Sequence, residues 1–271
     1  MATILELDHV SFKRGNRFIV NKMNVSLQAG QFIGLIGPNG TGKSTLLKLM
    51  AKLLKTDSGT IQFLQKNLNE MTDLEVAKAI TYMPQSTMLD YQFTVEQVVM
   101  MGRHPHRKKW QLSQKQDYAI VEEALKQTGI DHLKDRFITT LSGGERQLTF
   151  LARANTQQSD VILLDEPTSD LDIYHQVQIC EIIRELVKEG KTVVAAIHDI
   201  NLATRYCDQL LLLRDGEIVS FASPEEAITS DVLRKVFQTN TFTYNDPYFE
   251  KRQVIPYSVL LDDQLKVRKA K

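Results

Sequence analysis

The sequence predicts an α/β fold in which a strand-rich segment comes first and a mainly helical lobe interrupts the core. Three observations carry this reading. The first thirty residues alternate apolar and polar in strand fashion. A glycine-rich turn then joins a short apolar strand to a helix with an apolar face, between residues 32 and 54. Strand-like runs stop near residue 87 and resume only after residue 158. With 271 residues and 42% hydrophobic side chains, the chain is long enough to bury a full core without disulfides or metal.

Taken in order, residues 4–7, 18–20 and 23–27 read as strands, Gly30 as a turn and 32–36 as a buried strand. The stretch 43–54 reads as a helix, 57–59 as a turn and 60–64 as a strand. In the lobe, 112–129 and 142–157 carry helical patterns. Strands return at 161–164, 192–197 and 210–213. Asp215-Gly216 between two apolar runs signals a hairpin. Ser223 followed by Pro224, Glu225 and Glu226 suits a helix start. The tail beyond residue 261 is polar and basic and is expected to fray. The domain division that follows is a core at 1–86 and 159–240, a helical lobe at 87–158 and an extension at 241–271.

Residues 37–45 form the first chemical feature: Gly37, Pro38, Asn39, Gly40, Thr41, Gly42, Lys43, Ser44 and Thr45. The first eight match G-x4-G-K-[ST], with an apolar strand before and a helix after. Glycines let the backbone curl so that N–H groups point at phosphate oxygens, and the helix adds the positive end of its dipole. Lys43 can reach the terminal phosphates and Ser44 can offer its hydroxyl to Mg²⁺. A second feature is the apolar run Val161-Ile162-Leu163-Leu164 leading into Asp165-Glu166. On a strand these two carboxylates point to opposite sides, which suits metal holding for Asp165 and water activation for Glu166. Asp199 is most simply the N-cap of a helix at 200–206. His198, at the end of another core strand, is placed for a γ-phosphate contact.

The stretch Leu141-Ser142-Gly143-Gly144-Glu145 offers a second anion cradle at a helix N-terminus, although an ordinary capped helix start would satisfy the same backbone. With this stretch in view, the chain resembles the ATP-binding-cassette (ABC) ATPase subunit of a transporter, over roughly residues 4–240. The implied fold is a P-loop NTPase ABC-ATPase core with an N-terminal antiparallel β subdomain and an inserted α-helical lobe. By that resemblance 37–44 is Walker A, 161–166 is Walker B and 141–145 is the signature. Ser169-Asp170-Leu171-Asp172 is the D-loop, His198 the switch histidine, and Gln85 in Tyr82-Met83-Pro84-Gln85 the Q-loop glutamine. The implied cofactors are ATP and Mg²⁺, the metal lying near Ser44, Gln85 and Asp165.

The resemblance also implies a head-to-tail homodimer, each ATP lying between one Walker A and the other subunit's Ser142, Gly143, Gly144 and Glu145, with Asp172 alongside. Two membrane permease subunits would dock on the Q-loop and helical lobe at the cytoplasmic face of the membrane, and an extracytoplasmic solute-binding protein would act indirectly. Relatives place an adenine-stacking aromatic shortly after the first strand; here Arg14 stands there, and a guanidinium plane can stack on a base. Phe12 and Phe18 are the alternatives. Thr41 and Asn155-Thr156 also depart from the usual residues, away from the chemistry. Met101-Gly102-Arg103-His104-Pro105-His106, Asn201-Leu202-Ala203 and the segment from Pro224 to Phe237 resemble the subfamily that imports ferric siderophores, haem and cobalamin. Ferric siderophore is the first expectation, with haem and cobalamin next. His104 and His106 are read as structural, having no third ligand nearby.

Other classes fit less well. Lys plus Arg (33) equals Asp plus Glu (33), which argues against a general nucleic-acid binder. No sustained heptads separate Lys43 from Ser142, unlike chromosome-structuring relatives. A phosphotransferase would have no use for 141–145. No apolar run approaches the length of a membrane helix, the first residues show no signal-peptide pattern, and Cys180 and Cys207 show no metal or disulfide spacing. Any membrane attachment is therefore expected to come through a partner.

Overall fold

The computed structural model describes residues 2–85, 92–107 and 114–257. Its first unit is an antiparallel sheet. Strands β1 (Thr3–Arg14) and β2 (Arg17–Gln28) form a long hairpin, and β4 (Ser58–Phe63) and β5 (Lys66–Asn67) extend the sheet beyond β1. The sequence suggested three short strands here. The structure has two long ones, because bulges at His9 and Lys22, both at positive φ, carry the pairing across polar interruptions. Ser58 and Gly59, expected in a turn, open β4 instead. A Cβ on Gly59 would stand 2.4 Å from the Asp8 and His9 carbonyl oxygens, so the close approach to β1 needs glycine.

Between these strands lie β3 (Phe32–Ile36) and α1 (Lys43–Met50). The apolar pattern had suggested a helix to residue 54. It ends earlier because Lys52 adopts a left-handed conformation, its N–H donating to the Leu49 carbonyl and the Leu53 N–H to that of Lys48. This is a Schellman stop, usually built on glycine. Next come α2 (Asp73–Ala79), with a Thr72–Glu75 capping box, and β6 (Ile80–Met83). The lobe contributes α3 (Val95–Met100), a 3-10 turn at Met101–His106, α4 (Lys115–Gln127) and α5 (Gly143–Thr156). The start of the helix expected at 112–129 and the tail beyond residue 261 lie outside the described residues.

The chain then runs through β7 (Val161–Leu164), α6 (Ile173–Lys188), β8 (Thr192–Ala196), α7 (Ile200–Tyr206), β9 (Gln209–Arg214) and β10 (Glu217–Ala222). Helices α8 (Pro224–Ala227) and α9 (Ser230–Phe237) and the hairpin β11 (Asn240–Asn245) and β12 (Arg252–Tyr257) complete it. The central sheet has the order β10-β9-β3-β8-β7-β6, parallel except for β10. Alternate residues serve two cores, as a period of two requires. Phe32, Ile36, Ile162 and Leu164 join the core shared with the lobe and α6, while Ile33, Leu35, Val161 and Leu163 join the core under β1, β2 and α1. That is why these strands read as continuous apolar runs. The expected Asp215-Gly216 hairpin joins β9 to β10, both residues at positive φ.

Arg103 anchors the 3-10 turn of the lobe. It is buried, and its guanidinium donates to Asp117 at 3.0 Å, the Thr156 carbonyl at 2.8 Å and Gln158 at 2.8 Å. Burial opposes the charge on Asp117, but the Gln114 N–H and Arg103 outweigh it and hold the carboxyl below its usual range. Removing one member of a buried pair leaves the other uncompensated. Asp117→Ala should therefore cost about 3 kcal/mol of stability. Chemical denaturation checks this, and a loss under about 1 kcal/mol would show that the pair is not holding the lobe.

Candidate nucleotide site

The parallel strands end along one edge, and the polar residues singled out in the sequence emerge there. Residues 37–42 follow β3, Gln85 lies two residues beyond β6, Asp165-Glu166 follow β7, and His198 lies two residues beyond β8. Ligand sites in open α/β sheets form at this carboxyl edge.

The phosphate loop is held in shape by its own contacts. Gly42 caps α1 at φ +100°, and a Cβ there would lie 2.5 Å from the Ile19 carbonyl oxygen. Thr41, one of the departures from the family pattern, donates its hydroxyl to the Pro38 carbonyl at 2.9 Å. Lys43 is buried and folds over the loop, its Nζ donating to the carbonyls of Gly37 at 2.7 Å and Pro38 at 3.1 Å. Burial pushes its pKa down, opposed by the nearby charges of Glu166 and Asp165. An anionic ligand would add to the charge that favours the ammonium.

Asp165 is buried and ties the loop to the sheet. Its Oδ1 accepts from Ser44 Oγ at 2.8 Å, its Oδ2 from the Tyr82 hydroxyl at 3.0 Å, and its N–H donates to the Met83 carbonyl. Burial, and then the Asp165 charge, push the Tyr82 hydroxyl well up from its ordinary value, so it stays a donor. Glu166 differs from expectation. Strand β7 stops at Leu164, and Glu166 sits at φ +53°, so the two carboxylates diverge through a left-handed turn and not through strand pleat. Non-glycine residues in that region store strain, and such positions cluster at functional sites. The Glu166 carboxylate is held on both oxygens. Gln85 Nε2 donates to Oε2 at 2.5 Å and Ser169 Oγ at 3.0 Å, while His198 Nε2 lies 2.5 Å from Oε1.

These groups surround a cavity of about 380 Å³ lined by Arg14, Ile19, Asn39, Gly40, Gly42, Lys43, Ser44, Thr45, Gln85, Glu166 and His198. Arg14 is exposed at its mouth. Phe12 packs into the core beneath β1, and Phe18 turns its ring to Lys13 Nζ at 4.3 Å, so neither lines the cavity. Ile19 does, a contribution the sequence reading missed because it is one apolar residue in a strand. Ser169 and Tyr82 were quoted only as parts of motifs; their hydroxyl contacts could not be read from spacing.

Ser142, Gly143, Gly144, Glu145 and Asp172 do not line this cavity. Ser142 caps α5 through a capping box: its N–H donates to Glu145 Oε2 at 2.8 Å, and its Oγ accepts the Glu145 N–H at 3.3 Å. The Ser142 N–H is the main reason that the Glu145 carboxyl lies below its usual range. Asp172 caps α6 by accepting the His175 N–H at 2.9 Å, which lowers its pKa. The His175 ring lies against Gly144, where a Cβ would meet it at 2.3 Å. The starts of α5 and α6 thus share one surface, with Ser142, Gly143 and Asp172 exposed. Asp199 is the N-cap of α7, as expected. Asn155 bonds Gln127, and Thr156 bonds the Val99 carbonyl, so that departure is structural. His106 bonds the Gln157 carbonyl, and among the described residues no group of three His, Cys, Asp or Glu could hold a metal ion.

The strand, glycine-rich loop and helix are arranged as in a P-loop NTPase fold. Residues 20–169 match the family model described as ABC transporter, and the chain belongs to the ABC transporter family. That membership implies ATP binding. A siderophore transport system ATP-binding protein of Bacillus subtilis is 37% identical, covering 93% of this chain and 92% of its own length. The ferric enterobactin transport ATP-binding protein of Escherichia coli is 35% identical over 89% and 90%. A cobalamin import ATP-binding protein of Halobacterium salinarum is 40% identical over 84% of this chain, which spans 57% of that relative's length. Among solved structures, an inward-facing metal-chelate type ABC transporter superposes with a TM-score of 0.85, at 29% identity over 96% of this chain and all of that one. Among the described residues no helix is long and apolar enough to cross a membrane.

Gly42→Ala combines a left-handed φ with a carbonyl clash. It should distort the loop and weaken nucleotide binding by at least about tenfold, the equivalent of about 1.4 kcal/mol. Titration with a fluorescent ATP analogue measures this; wild-type affinity would show that the loop relaxes freely.

Proposed function

We propose that this chain is the ATP-binding and ATP-hydrolysing subunit that energises an ABC importer of a ferric siderophore or related metal chelate, working at the cytoplasmic face of the membrane. The observation that carries the hydrolytic reading is the Glu166 carboxylate, fixed by Gln85, Ser169 and His198 beside the phosphate loop. A carboxylate held at that point can orient or deprotonate a water aimed at the terminal phosphate. Lys43 would balance phosphate charge, and His198 would contact the γ-phosphate. The oxygen donors suit a hard divalent cation: Ser44 and Asp165 face each other at 2.8 Å, and Gln85 lies on the same edge. Ser44, Gln85 and Asp165 would hold Mg²⁺, which when bound supplies positive charge against the phosphate oxygens.

A second copy completes the site in this reading. The exposed Ser142–Gly143 surface and Asp172 would close over the partner's nucleotide, head to tail, and ATP would favour the closed dimer because it bridges both faces. Residues 87–158 would act as the lobe that receives the permease, with 1–86 and 159–240 as the catalytic core and 241–271 as an extension. Support comes from a groove of about 690 Å³ between α3, α4 and the 3-10 turn, lined by Phe93, Met100, Met101, Pro105 and Tyr118 among others. Its mixed lining, which also includes Glu96, Gln97, His104, Arg107 and Arg153, would suit one amphipathic helix of a permease subunit, with the second subunit on the second copy and a solute-binding protein acting on their far side.

The chelate is assigned by kinship. Relatives named for siderophore, petrobactin, hydroxamate and enterobactin uptake favour a ferric siderophore. The 40% identical halobacterial relatives favour cobalamin as the second reading.

Glu166→Gln should keep MgATP binding and hold the dimer closed, while ATP turnover falls by about 100-fold or more. Ferric-siderophore uptake by cells carrying it should stop. Turnover at the wild-type rate would remove Glu166 from the chemistry, and uptake that survives a dead ATPase would remove the transport role. Arg14→Ala should raise the KM for ATP and leave kcat near wild type, since stacking on the base is uniform binding. An unchanged KM in steady-state kinetics would mean that Arg14 does not touch the base.

A further inference from the structure

Asn201 belongs to a subfamily-like motif that the nucleotide cavity does not use, and its contacts lie on the other side of α7. Its side-chain amide reads one residue of β12 as a neighbouring strand would. Oδ1 accepts the Val254 N–H at 2.8 Å and Nδ2 donates to the Val254 carbonyl at 3.3 Å. One helical turn later, the Arg205 guanidinium lies 4.1 Å from the centre of the Phe249 ring, in the loop between β11 and β12. Residues four apart share a helix face, so both contacts press the same side of α7 onto the C-terminal hairpin. Val254 itself is buried.

The hairpin is independently anchored. Ser230 Oγ donates to the Thr241 carbonyl at 3.0 Å, Arg252 to the Ile228 carbonyl at 3.3 Å, and Lys251 pairs with Glu225. It is therefore fixed to α8 and α9 and can serve as a platform for α7. That helix has seven residues, too few to be stable on its own side-chain and backbone contacts. Its N-terminus is locked to the preceding chain, since Asp199 accepts the N–H groups of Asn201 at 2.8 Å and Leu202 at 3.1 Å. The next residue upstream is His198, whose ring meets Glu166. Neither β11 nor β12 contributes to the lining of the nucleotide cavity.

We propose that Asn201 and Arg205 are positioning residues: by clamping α7 onto the C-terminal hairpin they hold His198 at Glu166 for ATP hydrolysis. The proposal rests on the hydrolytic reading of Glu166 and His198 given above. A shift of about an ångström at a reacting group can cost up to about a hundredfold in rate. Loss of one of two clamps should thus reduce kcat by about threefold to tenfold, with the KM for ATP within about twofold of wild type.

The test is steady-state ATPase kinetics of the full-length chain carrying Asn201→Ala or Arg205→Ala, each also combined with His198→Ala. The expected result is a fall in kcat for each single variant and almost no further fall once His198 is absent, because the clamp acts only through that ring. Asn201→Asp should be intermediate, since it keeps the acceptor for the Val254 N–H and loses the donor. The same factor lost with and without His198 would show a general packing role and overturn the proposal, as would an unchanged kcat or an effect confined to KM. If Asn201→Ala fails to fold by thermal melting, Arg205→Ala decides, its side chain being exposed. A His198→Ala protein with wild-type kcat would overturn the hydrolytic reading itself; normal single clamp variants beside a slow His198→Ala protein would overturn only the clamp.

Discussion

The constraint on which this molecule depends is that its parallel strands are covered on both faces. A strand packed between two cores has no side on which a charged group can meet water, so polar chemistry is driven to the strand ends. Strands β3, β7 and β8 are buried throughout, and each is followed within two residues by the phosphate loop, the Asp165-Glu166 pair or His198. Parallel connection then does the rest. Because the strands run the same way, those ends share one edge, and residues far apart in the chain converge without any local signal that they will. Ser44 and Asp165 meet at 2.8 Å across more than a hundred residues for this reason.

The same constraint explains what could be read in the sequence. Buried strands have to be continuously apolar, so 32–36 and 161–164 were legible to the residue, and the phosphate loop between strand and helix followed. The failures occur where a backbone conformation that usually belongs to glycine is taken by another residue. Lys52 stops α1 at a left-handed position that nothing in Leu53-Leu54 announces. Glu166 turns left-handed directly after β7, so pleat alternation gives the right divergence of carboxylates for the wrong reason. His9 and Lys22 do the same within strands, where polar residues looked like breaks. In each case tertiary contacts supply what local propensity would refuse.

The candidate site divides along a similar line. Residue types and spacing named Lys43, Ser44, Asp165, Glu166 and His198, and the family resemblance named Gln85; the fold brings all but Asp165 to the wall of one cavity and ties Asp165 to Ser44 behind it. The hydroxyls of Tyr82 and Ser169 and the side chain of Ile19 add to that site through geometry alone. Ser142, Gly143 and Asp172 are different in kind. Their polar groups are satisfied within their own chain by capping, yet Ser142 and Gly143 stay exposed beside the His175 ring packed on Gly144. Gly144 is required by the His175 ring, which a Cβ would meet at 2.3 Å, whereas neither that ring nor the capping box requires a glycine at the exposed Gly143.

The motif at 101–106 serves the packing of the lobe. Gly102 is required because a Cβ would lie 2.2 Å from both the Arg153 carbonyl oxygen and Thr156 Oγ1. Arg103 is spent inside the lobe on Asp117, Thr156 and Gln158, and His106 on the Gln157 carbonyl. None of these side chains is available to recognise a metal chelate. What they fix is the seating of the 3-10 turn against α4 and α5, and that turn forms one wall of the groove, where Met101 and Pro105 alternate with His104. The motif therefore acts through the shape of the lobe surface and not through a side chain offered to a ligand.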